Sequence, residues 1–211
     1  MSTYALTGEL ASGKTTVLRF LRSKGALVFN ADERVHQYYR NKKSKVYARV
    51  VRAFPGVVSG GVISRKALAS EVFSRKQSLC LLESIIHPAI IKDLRRWLTR
   101  SRRSDPQRIC VAEVPLLFEK KLEGLFDKVI FIRVSREAQR TRIRGKYKSR
   151  AAAAARLKRF MPVRKKIGKA DYVIENSSTR KALQKEVVFL WESLKKSGSR
   201  RIRGVSQGVC R

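Results

Sequence analysis

The sequence predicts an α/β fold in which helices cover both faces of a five-stranded parallel sheet. A short apolar strand at residues 4–7 runs into a glycine-containing turn, and an apolar helical pattern follows at residues 15–23. A second buried strand is predicted at residues 27–29. This strand–helix–strand order requires parallel strands and a right-handed crossover. Since strands and helices keep alternating further along the chain, we expect a helix–sheet–helix sandwich.

The region from Asp32 to Arg100 is mostly helical in pattern. Turns at Pro55-Gly56 and Ser59-Gly60-Gly61 interrupt it. A helix is predicted over residues 64–73, and Pro88 is expected near a helix start, where a missing N–H does no harm.

Three further strands complete the predicted sheet, at residues 109–114, 129–134 and 172–174. Helices are predicted over residues 136–146 and 179–196. One domain over residues 1–196 accounts for these elements. The remaining residues 197–211 are rich in Gly, Ser and Arg, and we expect a basic disordered tail there.

The chain is strongly basic, with 49 Lys and Arg against 16 Asp and Glu and a net charge of +33. Such a charge favours anionic partners such as nucleotides, nucleic acid or acidic lipid. Alternatively, the basic residues simply cover the protein surface and have no specific partner. The basic residues are spread along the whole chain and are not interleaved with aromatics, so nucleic acid is not an expected partner. We therefore expect mainly a basic surface.

Cysteine and histidine are scarce, with three Cys and two His residues. The odd count and the absence of a CxxC pair argue against a disulfide framework or a zinc site and indicate a reducing compartment. No long apolar run and no secretory signal pattern are visible. We expect a cytoplasmic monomer that makes no membrane contact.

The turn after the first strand carries a complete phosphate-binding pattern, G-x-x-x-x-G-K-[ST], at residues 8–15. Its glycines allow backbone N–H groups to point at phosphate oxygens, the lysine reaches the outer phosphates, and the threonine offers a hydroxyl to Mg²⁺. The fold is therefore a P-loop, three-layer α/β/α sandwich, and ATP with Mg²⁺ is the expected cofactor. The nucleotide-binding residues expected here are Gly8, Ala11, Ser12, Gly13, Lys14, Thr15 and Thr16.

Two acids follow predicted strands and should lie near this loop, because ligands bind at the carboxyl ends of parallel strands. Asp32 could deprotonate an attacking hydroxyl or help to hold Mg²⁺, or it could simply cap the helix that starts at Glu33. Glu113 ends the third strand, where an acid often holds Mg²⁺ together with Thr15, although an ordinary loop carboxylate would fit equally well. Position alone leaves these alternatives open.

Other candidates are weaker when taken singly. The apolar turn at residues 115–118 could wall a substrate pocket, but core packing is the favoured explanation. Glu119, which follows it, is a carboxylate with the same two explanations as Glu113. His87 alone is more often structural than catalytic. Arg142 and Lys146 share one helix face and could close over a phosphoryl group, or they could face solvent.

Together, these pieces resemble the dephospho-coenzyme A kinase family, from about Ala5 to Leu194. The resemblance rests on motifs that keep the family's order along the chain. They are Leu6-Thr7-Gly8 through Thr16, Asn30-Ala31-Asp32, residues 61–65 with Leu68 and Val72-Phe73, Leu82-Glu83, Ile86-His87-Pro88, residues 114–119, Glu137-x-Gln139-x-x-Arg142, and residues 170–176.

The resemblance implies transfer of the ATP γ-phosphoryl group to the ribose 3′-hydroxyl of dephospho-coenzyme A. It implies a helical acceptor-binding region at about residues 33–100 and a lid at about residues 146–169. Asp32 matches the family's general base, and Lys14 and Arg142 would act on the phosphoryl group. Lys146 and Asn176 would bind the nucleotide. The implied acceptor-side residues are Asp32, Arg65, His87, Leu116, Leu117 and Glu119.

The chain departs from the family pattern at several positions. Glu9 and Ala11 replace two loop glycines, so a negative charge comes near the phosphates. Asn30 replaces an Asp and removes one possible Mg²⁺ contact. Lys146 replaces a lid Arg and loses its bidentate geometry. Two more departures are His36, where Arg is common, and Phe160, where Gln is usual.

Two other functions remain possible from the sequence. One is a different small-molecule kinase of the same class. The other is a basic ATPase that binds nucleic acid, which the charge suggests and the acceptor-side motifs oppose.

Overall fold

The computed structural model describes residues 2–104, 108–146 and 161–198. The strands in this part are β1 Ser2–Gly8, β2 Leu27–Asn30, β3 Val58–Ser59, β4 Val62–Ile63, β5 Ile109–Glu113, β6 Lys128–Arg133 and β7 Tyr172–Glu175. The helices are α1 Lys14–Ser23, α2 Ala31–Arg40, α3 Lys45–Ala53, α4 Arg65–Ser74, α5 Lys76–Ser104, α6 Arg136–Lys146, α7 Val163–Ile167 and α8 Arg180–Gly198. Short 3₁₀ turns occupy Pro55–Val57 and Glu123–Leu125.

The main sheet has five parallel strands in the order β2-β5-β1-β6-β7. The predicted fold class is therefore confirmed. Leu6 of β1 and Asn30 of β2 both pair with Glu113, the last residue of β5. Because all five strands run the same way, the loops that follow β1, β2 and β5 leave the sheet at one edge.

Apolar layers lie on both faces of the sheet. On one face, α1 and α8 bury Leu21 and Leu194 against Tyr4 and Ile130. On the other face, α5 buries Leu94 against Phe131, together with half-buried side chains from residues 161–170. Strands covered on both faces read as continuous apolar runs, which is why the sequence pattern located them.

The predicted helical insertion has a hydrophobic core of its own. Helices α2 to α5 and the β3–β4 hairpin bury Tyr39, Val50, Ile63, Leu68 and Ile85 together. The Gly60-Gly61 turn joins the two hairpin strands, and both glycines have positive φ angles of 57° and 76°. This core fixes α2, which carries Asp32, relative to the sheet.

The expectation that Pro88 lies near a helix start is wrong. Pro88 lies inside α5, a continuous helix of 29 residues. A proline in this position leaves the carbonyl of Ser84 without its helical N–H partner. The helix continues because Ile85 and Ile86 are buried in the insertion while Leu94 and Leu98 are buried against the sheet. Burial on both sides of the proline outweighs its local cost.

The predicted tail and lid are only partly described. Helix α8 continues through Gly198 and so includes the first two residues of the predicted tail. Lys146 ends α6, while residues 147–160 of the predicted lid and residues 199–211 of the tail lie outside the described residues. Residues 161–169 include α7, whose Val163 and Ile167 pack on the sheet core. Among the helices described, none is long and apolar enough to cross a membrane.

Replacing Pro88 by Ala should raise the free energy of unfolding by about 1–3 kcal/mol, because Ala restores the missing N–H and removes the ring from a helix interior. Chemical denaturation at equilibrium would measure this change. Pro55→Ala is the matched control: Pro55 begins a 3₁₀ turn, so its removal should bring no gain. Equal changes in the two variants would contradict the account of Pro88.

Candidate active site

The phosphate loop connects β1 to the first residue of α1. Gly8 sits where a Cβ would come within 2.5 Å of the Ile132 carbonyl oxygen on the neighbouring strand. Gly13 has a φ of 90° and caps α1 with a left-handed conformation. A Cβ on Gly13 would clash with the Asn176 side-chain amide. Both glycines of the pattern are therefore required by close contacts as well as by backbone shape.

Lys14 closes over the loop from its own helix. Its Nζ donates to the carbonyl oxygens of Gly8 at 3.2 Å and Glu9 at 2.7 Å. The ammonium group therefore lies over the loop whose N–H groups can cradle phosphates. A cation in this place adds to the positive end of the α1 dipole and makes the loop an anion site.

Two side chains, one just after β7 and one on α6, hold the loop. The Asn176 Nδ2 donates to the Ser12 carbonyl oxygen at 2.7 Å, and its Oδ1 accepts from Arg142 at 3.3 Å. Gln139 of α6 donates to the Leu10 carbonyl oxygen at 3.0 Å. The helix that carries Arg142 is thus fixed directly to the phosphate loop.

Glu9, which replaces a glycine of the family pattern, is bound to the end of β6. Its Oε2 accepts a hydrogen bond from the backbone N–H of Val134 at 3.1 Å. Burial raises the pKa of Glu9, while the Val134 N–H, Arg133 and Lys166 act in the opposite direction. The negative charge expected from the sequence is therefore partly balanced within the protein.

Glu113 joins the ends of three elements at the sheet edge. Its Oε1 accepts from the Thr15 hydroxyl at 3.2 Å, and its Oε2 accepts from the Asn30 amide at 2.9 Å. The side chain is only 2% exposed. The pKa of Glu113 is raised to about 7, mainly by burial and also by the charge of Asp32, while Lys14 acts in the opposite direction. Glu113 is thus more than an ordinary loop carboxylate, because both of its oxygens are held.

Asp32 lies in the first turn of α2 at the same edge. The alternative in which Asp32 caps this helix is wrong, since Asn30 is the cap and its Oδ1 accepts from the N–H of Glu33 at 2.9 Å. A cap must precede the helix, and α2 begins at Ala31. The Asp32 carboxylate is exposed and forms no hydrogen bond or ion pair within the described residues. It is free to meet a ligand.

The surroundings of Asp32 are mixed in charge. Burial lowers the pKa of His36, with Arg65 adding to that effect and Asp32 opposing it. Burial raises the pKa of Tyr39 to about 12, and the charges of Arg65 and Asp32 also act on it. Arg65, a predicted acceptor-side residue, therefore lies with Asp32 in one group of charged residues around His36 and Tyr39.

A cleft of about 340 Å³ opens beside the phosphate loop. It adjoins Ala11, Gly13, Thr16, Arg142 and Asn176, all of which the sequence singled out. The sequence did not single out Arg19, Phe20 and Arg180, which also line the cleft. Arg180 lies over the Phe20 ring at 5.8 Å from its centre. A positively charged cleft with an aromatic wall suits a nucleotide base and its phosphates.

The acceptor-side residues are divided between the surface and the core. Leu117 is fully buried against the sheet, so it packs in the core and is not exposed to a ligand. Leu116 is half-buried. His87 is half-buried on α5, and burial lowers its pKa, with Lys120 adding to that effect. Core packing is therefore the correct interpretation for Leu117. Its side chain, in the turn after β5, is buried in the apolar layer on one face of the sheet.

Glu119 forms a buried contact that the sequence did not predict. Its Oε1 accepts from Lys166 of α7 at 2.6 Å and from the N–H of Met161 at 2.8 Å. Lys166 is only 1% exposed. The side chain of Lys146 lies outside the described residues.

Comparison with known proteins identifies the group to which these features belong. The sequence model of the dephospho-CoA kinase family matches residues 3–182. The chain belongs to the dephospho-CoA kinase family. The dephospho-CoA kinase of Aquifex aeolicus is 35% identical over 196 residues, which cover 92% of this chain and 98% of that protein. The dephospho-CoA kinase of Bartonella quintana is 32% identical over 199 residues, or 93% of this chain and 100% of that protein.

Solved structures agree with this family assignment. The dephospho-CoA kinase from Campylobacter jejuni superposes with a TM-score of 0.67 at 25% identity, covering 92% of this chain and 98% of that one. The family resemblance predicted from the motifs is thus confirmed, and the chain is a kinase.

The raised pKa of Glu113 predicts a pH-dependent stability for the protein without metal. The folded carboxyl group holds its proton up to about pH 7, whereas an ordinary one loses it near 4.5. The contribution of Glu113 to the free energy of unfolding is therefore fully present below pH 4.5. It falls by about 3 kcal/mol as the pH rises through 7. Urea unfolding in a chelator between pH 4.5 and 8 would measure this fall.

Glu113→Gln should flatten that pH dependence, because the amide does not titrate. Glu186→Gln, at an exposed site on α8, is the matched control and should leave the dependence unchanged. The same pH profile in the wild type and in Glu113→Gln would rule out Glu113 as the source.

Proposed function

We propose that this chain transfers the γ-phosphoryl group of ATP to the ribose 3′-hydroxyl of dephospho-coenzyme A, giving coenzyme A in the last step of its biosynthesis. The observation that carries the proposal is the sheet edge where the phosphate loop, the buried Glu113 and the exposed Asp32 meet. Family membership supplies the acceptor. It does not favour another small-molecule kinase or a nucleic-acid-dependent ATPase.

ATP would bind with its phosphates in the loop and its nucleoside in the adjoining cleft. Lys14 would exchange its contacts with loop carbonyls for contacts with phosphate oxygens. Arg142 already donates through one nitrogen to Asn176, and its Nη1 is buried with no hydrogen-bond partner among the described residues. An unpaired guanidinium nitrogen beside an anion loop is suited to the transferring phosphoryl group.

The oxygen donors at the sheet edge fit Mg²⁺. Thr15 and Glu113 place a hydroxyl and a carboxylate oxygen 3.2 Å apart beside the loop. Within the described residues, no group of three or more His, Cys, Asp and Glu side chains could hold a metal. That pattern suits Mg²⁺, which keeps waters and phosphate oxygens as ligands and needs few from the protein. When bound, the ion would neutralise charge on the phosphates.

Asp32 would orient the acceptor and take its proton. As the 3′-hydroxyl oxygen forms its bond to the γ-phosphorus, the proton passes to the Asp32 carboxylate and the bond to the ADP oxygen breaks. Arg65 belongs to the same cluster and would hold an acceptor phosphate, while His87 and Leu116 would line the acceptor side. The Asn30 cap leaves Asp32 unengaged for this task.

ADP release coupled to a reporter, with ATP, Mg²⁺ and dephospho-coenzyme A, tests the proposal. We expect ADP release that depends on the acceptor and a product heavier by one phosphate at the 3′ position. Shikimate and nucleoside monophosphates serve as comparison acceptors. Phosphorylation of one of these but not of dephospho-coenzyme A would overturn the proposal, as would ATP turnover that needs nucleic acid.

Asp32→Asn should lower kcat by about 10²- to 10⁴-fold, the usual contribution of a general base, because the amide cannot accept the proton. The dissociation constant for an ATP analogue should change less than threefold. Glu33→Gln, the next carboxylate on α2, is the matched control and should keep near-normal turnover. Unchanged turnover in Asp32→Asn would remove Asp32 from the catalytic role.

A further inference from the structure

Lys166 is the most deeply buried cation that the structure describes, at 1% exposure. It reaches Glu119 at 2.6 Å, and the same carboxylate oxygen also accepts the N–H of Met161. The other oxygen of Glu119 is buried and has no hydrogen-bond partner among the described residues. Glu119 is therefore fixed through one oxygen only, and Lys166 supplies its opposite charge.

The two members of this pair come from different parts of the chain. Glu119 belongs to the turn at residues 115–119 that follows β5, whereas Lys166 belongs to α7. The pair thus links the acceptor side to a segment packed under the sheet.

The charge of Lys166 also has an effect on Glu9 of the phosphate loop. It acts to lower the pKa of Glu9, against the larger effect of burial, and the Glu9 carboxylate is bound to the N–H of Val134.

Simple anchoring of α7 does not require this charge. Met161, Val163 and Ile167 already pack against the sheet core. A buried ion pair is generally no more stabilising than apolar side chains of similar size, because both charges lose their hydration. A lysine with almost no exposure is therefore better explained by what it does to the Glu119 carboxylate that it contacts.

We propose that Lys166 is a positioning residue for phosphoryl transfer, which holds Glu119 and the turn at residues 115–119 against α7. The proposal rests on the function proposed above. Lys166 touches no reacting atom in it. It acts through Glu119, which it contacts.

Lys166→Met tests this, because Met keeps the length of the side chain and removes the charge. At saturating ATP we expect kcat/KM for dephospho-coenzyme A to fall at least tenfold, while the dissociation constant for an ATP analogue measured without acceptor changes less than threefold. Lys166→Arg should recover part of the loss. In the Lys166→Met/Glu119→Gln double variant the effects should be far from additive, since both changes break one pair.

Lys195→Met on α8 is the control from an exposed ion pair. Lys195 pairs with Glu192 at 3.0 Å and both side chains are about half exposed, so its loss should leave kcat/KM within twofold. If Lys166→Met and Lys195→Met behave alike, the positioning role is wrong. If Lys166→Met does not fold, Glu119→Gln and Lys166→Arg carry the test, and wild-type kcat/KM in both would overturn it.

A purely structural role would give a different pattern. It would lower the melting temperature and affect ATP-analogue binding and acceptor use in proportion, and that result also overturns the proposal. Wild-type activity with dephospho-coenzyme A is measured first in the same assay. A wild type that does not phosphorylate this acceptor refutes the proposed function, whereas an active wild type with unaffected variants refutes only the role of Lys166.

Discussion

The hydrogen bonds that Glu113 accepts from Thr15 and Asn30 connect the parts on which the site depends. Thr15 belongs to the helix that follows the phosphate loop, and Asn30 ends the neighbouring strand and caps the helix of Asp32. A carboxylate with 2% exposure must be satisfied from within the protein, because water cannot reach it. Its position therefore fixes the distance between the loop and the Asp32 helix, and the parallel register of β1, β2 and β5 keeps those three elements at one edge.

The general location of the site could be predicted from the sequence. Apolar runs identify the strands, and the residues that follow parallel strands lie at one edge of the sheet. These two observations place Lys14, Asp32 and Glu113 together. The hydrogen bonds between side chains at this edge could not be predicted in the same way. That Asn30 serves both as the cap of α2 and as a donor to Glu113 depends on the register of β2 with β5, which no short stretch of sequence encodes.

Other features were hidden for different physical reasons. The prediction for Pro88 was wrong because local helix rules take no account of the buried residues on both sides of it. Lys166 could not be separated from its neighbours, since a basic residue carries little information in a chain with 49 of them. Arg19 and Arg180 were missed for the same reason, and only the cleft between α1 and α8 distinguishes them. Leu117 shows the converse, because an apolar residue in a functional motif can belong wholly to the core.

Ala11 shows how the loop tolerates the loss of a family glycine. Its φ is 58°, in the left-handed region where a residue with a Cβ is disfavoured by about 1 kcal/mol. The carbonyls on either side are held, Leu10 by Gln139 and Ser12 by Asn176, so the loop keeps its shape even at that cost. Strain of this kind persists only where surrounding contacts over-determine the backbone. Because those contacts come from α6 and from the end of β7, the shape of the phosphate loop and the placement of Arg142 are set by the same hydrogen bonds.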